Sequence, residues 1–173
     1  MNFQKIFSTL IFLMLTIYSA GAQNRTSISP VVFKNLTGCW QGRLNYSGTV
    51  IRKPYSTPAE LVIKQTGMPG KFEFLNIYTK DPNENVPDTI TISNDGRKIN
   101  DATIKSNQTT PDGNLKIVAE VLGFDHDNNK AAIIRHTYTI GKNIYTYKKE
   151  TQPEGQTDWL EKQEFKYVRK PCN

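Results

Sequence analysis

Two histidines are all the imidazole this chain has for metal ligation or acid–base work. His136 falls in AAIIRHTYTI, where strict alternation puts it on one face with Ala132, Ile134, Tyr138 and Ile140. On an inward face it reads first as a hydrogen-bonded histidine in the wall of a core or cavity. His126 falls in FDHDNNK, where Asp125, Asp127 and Asn129 occupy the first, third and fifth places of a calcium loop. Such a loop needs glycine at its sixth place and a bidentate carboxylate at its twelfth, and these places hold Lys130 and His136. The segment DPNEN, 81–85, fails in the same way, with Val86 and Ile92. Both read as polar turns.

Nucleophilic and phosphate chemistry find no frame either. The chain has no Gly-x-Ser-x-Gly elbow, Gly-rich phosphate loop, His-Glu-x-x-His or Cys-x-x-Cys. Glu60, Glu73 and Glu120 alternate with apolar residues and are expected to face solvent. The expectation is a protein without catalysis.

The elements that must position these residues are strands. Residues 1–22 read as a secretory signal peptide: Lys5, an apolar run from Ile6 to Tyr18, then Ala20-Gly21-Ala22 for cleavage. The run is too short to span a bilayer. A secreted or periplasmic chain without a membrane span is therefore expected, cut near Ala22. Residues 23–35 carry little pattern and are expected to be a flexible arm. From 36 to 173, about nine short alternating stretches follow one another, with turn signals such as Asn94-Asp95-Gly96 and Gly141-Lys142 about every ten residues. Nothing shows a helical period. In KFEFLNIYT, 71–79, the alternation breaks after Phe74, which suggests a bulge. One all-β domain results, expected as a single antiparallel up-and-down barrel of 8–10 strands.

The net charge of +6 is scattered along the chain, with no basic run that would mark a nucleic-acid groove. Cys39 and Cys172 are the only cysteines. In an exported chain an even count makes a disulfide the default, tying the first strand to the C-terminus.

The stretch LTGCWQG, 36–42, resembles the Gly-x-Trp opening of the lipocalin and calycin barrels, and the chain looks like small secreted bacterial lipocalin-like proteins. The resemblance implies that Trp40 packs across the closed end of the barrel under a basic residue from the last strand, here Arg169. Cys39 and Cys172 would then lie close by. It also implies an interior that binds a small hydrophobic molecule, with Tyr46, Phe74, His136 and Tyr138 expected in its wall. Some calycin-like barrels hold haem through a histidine, which makes haem on His136 a further, lesser expectation. The ligand would enter opposite Trp40 and Arg169, past loops at 54–58 and 81–87. The alternative is a barrel filled by its own aromatics, whose outside binds a protein partner.

Overall fold

The computed structural model describes residues 26–48, 53–85, 87–127 and 129–172. The expected leader over 1–22 lies outside them, as do residues 23–25. A four-residue helix, α1 (Val31–Lys34), precedes ten strands: β1 (Gly38–Tyr46), β2 (Tyr55–Gln65), β3 (Lys71–Ile77), β4 (Pro87–Thr91) and β5 (Lys98–Ile99) form the first half. The second half is β6 (Ala102–Thr109), β7 (Leu115–Asp125), β8 (Lys130–Ile140), β9 (Ile144–Pro153) and β10 (Leu160–Lys170). Strands adjacent in sequence pair antiparallel except β4 and β5, and β1 pairs with β10, so the first and last strands lie side by side. The seam between β4 and β5 is held by one bridge, Ile92 to Ile99. The result is a nearly closed, ten-stranded up-and-down barrel of lipocalin-type topology, as expected.

The closed end is built from both ends of the chain. Trp40 and Arg169 are direct cross-strand partners, and the Arg169 guanidinium carbon lies 4.1 Å from the centre of the indole ring. Trp40 is fully buried, and its indole N–H donates to the Leu36 carbonyl at 2.8 Å. Arg169 donates to the carbonyls of Asn35 (2.7 Å), Thr37 (3.0 Å) and Lys142 (3.1 Å). It thus ties the segment after α1 to the β8–β9 turn. Cys39 and Cys172 are joined in a disulfide on the adjoining edge. Gly38 sits at φ +124°, beside the Arg169 side chain, in a region that L side chains rarely adopt.

Four expectations need correction. The arm is ordered from residue 26 onward, because Phe33 gives α1 a fully buried anchor against Phe72, Phe74 and Tyr138. Ile28 adds a backbone bond to Gly96, and the Asn107 side chain donates to the Ser27 carbonyl. The expected bulge after Phe74 is absent: β2 and β3 stay in register from Glu60↔Ile77 to Gln65↔Phe72. Bulges fall instead at Ile104/Ser106 and Glu161/Gln163. Residues 55–58 begin β2 rather than form a loop. Pro58 is tolerated because β2 pairs there only with β1, leaving the edge that needs no N–H toward the open side. Finally, RKINDATIK, 97–105, one of the alternating stretches expected as a single strand, is split between β5 and β6 by Asn100 at φ 53°.

At Gly42 the backbones of β1 and β10 come close. A Cβ there would lie 1.8 Å from the Lys166 carbonyl oxygen and 2.9 Å from the Tyr167 Cα, both fixed backbone. Gly42→Ala is expected to lower stability by about 1–3 kcal/mol, as overpacking does. Gly67→Ala, with nothing within 4 Å of its added Cβ, is the control. Equal urea midpoints for the two variants would contradict the close approach.

Candidate ligand cavity

Above the Trp40 floor the barrel does not fill. Inward-facing aromatics of β3, β8, β9 and β10 surround the interior, and at the mouth polar residues join them. Between them lies a cavity of about 330 Å³. Its deep wall is formed by Leu61, Phe74, Tyr138, Tyr145, Phe165 and Tyr167, with Ile90 and Ile99 beside the seam. Nearer the mouth stand Asn76, Tyr78, Asp88, Asp101, His136, Tyr147 and Gln163. Phe33 packs beneath, its ring centre 5.7 Å from that of Tyr138.

Phe74, His136 and Tyr138, expected in the wall, line one cavity. Tyr46 does not reach it. At the outer end of β1 it stacks on Tyr55, ring centres 5.2 Å apart, in a shallower depression of about 500 Å³. Tyr78 and Gln163 border both spaces and form the partition between them. Sequence reasoning missed Asp88, Asp101, Asn76 and Gln163. The first three are short polar residues in or beside turns, which look like solvent-facing loops until the seam closes.

His136 is held from across the hairpin rather than by Tyr138. Its Nδ1 is hydrogen-bonded to the Tyr147 hydroxyl at 2.8 Å, with the two rings stacked. Burial, followed by the positive charge of Lys149, lowers the basicity of the imidazole against an opposing pull from Asp101, so it is neutral at pH 7. Burial likewise raises the hydroxyls of Tyr138, Tyr145, Tyr147 and Tyr167, and it pushes Tyr78 up to about 12. All five stay protonated in physiological solution.

The Tyr167 hydroxyl donates to Asn76 Oδ1 at 2.8 Å. Tyr138 and Tyr145 differ. They are 4% and 3% exposed, and among the described residues neither hydroxyl has a hydrogen-bond partner. Among the described residues no fully buried side-chain nitrogen or oxygen lacks a partner, so both hydroxyls border the cavity space. They are two deep polar groups on an otherwise aromatic wall.

Among the described residues, no group of three or more histidines, cysteines or acids could hold a metal ion. Asp125 and Asp127 of the β7–β8 turn grip Lys162, at 3.0 and 2.7 Å, and Thr151 donates to Asp125. This cluster pins the start of β10 to the turn. No described helix is long and apolar enough to cross a membrane.

No protein-family model and no curated protein matches the chain. Among solved structures it is similar to the crystal structure of Rv2717c from M. tuberculosis, with a TM-score of 0.47 and 14% identity over 81% of this chain and 96% of that one.

Proposed function

We propose that the barrel binds and carries a small, mainly hydrophobic molecule in the cavity above Trp40, and that it performs no chemistry on it. The observation that carries this reading is the pair of deep hydroxyls, Tyr138 and Tyr145, which border a space of about 330 Å³ and have no hydrogen-bond partner among the described residues. A filled core would have paired them, since unpaired buried polar groups cost stability. Aromatic walls with a few convergent polar groups are the usual make-up of small-molecule sites. The disulfide supports an exported protein, because such bonds persist in oxidising compartments.

The test is native mass spectrometry of the mature protein, secreted by its own signal and purified gently. An added mass that disappears on denaturation is expected. A bare protein mass across several growth conditions would count against the carrier reading.

A second reading, a module that binds a protein partner, is favoured by the outer face of β7. Leu122 is 83% exposed there and Phe124 42%. It does not compete for the interior, and both surfaces could serve one protein. Haem on His136 is a third reading; a visible absorption band in the purified protein is what would favour it over the others.

A further inference from the structure

The chemistry of the cavity mouth narrows the ligand class. Two carboxylates, Asp88 and Asp101, line the cavity, and no lysine or arginine does among the described residues. Asp88 lies on β4 and Asp101 in the β5–β6 turn, so the two acids flank the barrel seam, one on each side. Neither has a lysine or arginine within ion-pair distance among the described residues; all the ion pairs found there use other acids. Asp88 accepts one bond, from the Thr89 backbone N–H.

Lys149 is the cross-strand partner of His136 and is the cation felt there, but it does not line the cavity. Lys162 is committed to Asp125 and Asp127. Lys80 lies in the outer depression together with Asp81 and Glu84. The negative charge of Asp88 reaches inward to Tyr138, Tyr145 and Tyr147. Below the acids, the wall presents the faces and edges of tyrosine and phenylalanine rings, which attract cations and repel anions at their faces.

Resting on the carrier reading above, we propose that the cavity selects a small aromatic amine: its protonated nitrogen lies between Asp88 and Asp101, and its ring lies against the deep wall at Tyr138, Tyr145 and Phe165. The two deep hydroxyls are then free to bond a polar substituent at the far end of the ring. At about 330 Å³ the space is at the small end of the roughly 300–1,000 Å³ range of ligand pockets, which suits a single-ring ligand. The same arrangement rejects fatty acids and other carboxylates, which a purely hydrophobic barrel would admit.

The probes are three molecules of matched size that differ in charge: 2-phenylethylamine, 2-phenylethanol and 3-phenylpropionate. Their binding to the mature protein is read by calorimetry and by NMR shifts of the tyrosine rings. The amine is expected to bind roughly tenfold more tightly than the alcohol, and the propionate more weakly than either. In D88N/D101N the amine's advantage over the alcohol should vanish. Both acids are exposed, so the variant is expected to fold, and its circular dichroism verifies this. If the alcohol or the propionate binds as tightly as the amine, charge selection is overturned and the carrier reading stands. If the amine's advantage survives in D88N/D101N, the acids are not its source and the proposal fails. If none of the three shifts the tyrosine signals, both the selection and the cavity reading fail for ligands of this size.

Discussion

Replacing Trp40 by alanine is expected to lower the stability of the barrel by about 3–5 kcal/mol, the cost of deleting a fully buried aromatic. Replacing Arg169 by alanine should remove roughly 2–3 kcal/mol, because three backbone carbonyls lose a charged donor. The sharper expectation concerns the pair. The guanidinium lies 4.1 Å over the indole, and the same Arg169 bonds Asn35 and Thr37, on either side of the Leu36 carbonyl that receives the indole N–H. Once Trp40 is gone, Leu36 is released and Arg169 has a looser segment to hold. The two losses should therefore fall short of additivity by about 0.5–3 kcal/mol. Urea denaturation of the parent, both single variants and the double variant measures this. Additivity within a few tenths of a kcal/mol would mean that the floor is two independent contacts. Arg169→Lys is the discriminating companion: a lysine keeps the charge but lacks the planar fork that reaches three carbonyls at once, so it should recover less than half of the loss.

This floor was the most legible part of the molecule. The Gly-x-Trp resemblance implied that Trp40 and Arg169 meet, and the register makes them direct partners. Period-2 patterning reports which face a residue takes, and it did so for Phe74, His136 and Tyr138. It does not report depth along the barrel, which is why Tyr46 has the right parity and lies in the outer depression instead. The anchoring of α1 escaped notice because a four-residue helix is shorter than any window in which a helical period can be seen. Of its residues only Phe33 is buried, with Val32 packed partly against the core. The break at Asn100 was hidden for a different reason. Asparagine enters the left-handed region less often than glycine, so NDA within RKINDATIK is a weak turn signal. Missing that break also hid Asp101. Its place at the cavity mouth depends on the β5–β6 turn and on the Ile92–Ile99 bridge, a tertiary contact with no local signature.

The second large effect is expected from the disulfide. Cys39 and Cys172 are 133 residues apart in sequence, so the bond closes nearly the whole domain into one loop. Chain-entropy arguments put the stabilisation near ~5 kcal/mol for a loop of this length, and native strain or residual structure in the unfolded chain reduces it. Cys39→Ala/Cys172→Ala should therefore lose about 2–5 kcal/mol, seen as a lower urea midpoint. Its denaturant slope should rise, because an unfolded chain without the cross-link exposes more surface. The double alanine variant is preferred to a single one, which would leave a reactive thiol. The barrel itself should persist, since its core clusters from Phe33 to Tyr167 do not use the sulfurs. The local consequence is more telling than the global one. Cys172 lies three residues beyond Arg169, and β10 ends at Lys170, so the bond keeps the end of the last strand from fraying. Without it, Arg169 should spend less time over the indole, and the Trp40–Arg169 coupling measured in the cysteine-free background should shrink. An undiminished coupling there would show that the three carbonyl bonds of Arg169 hold the floor unaided. An unchanged urea midpoint would show that the cross-link does not stabilise the fold.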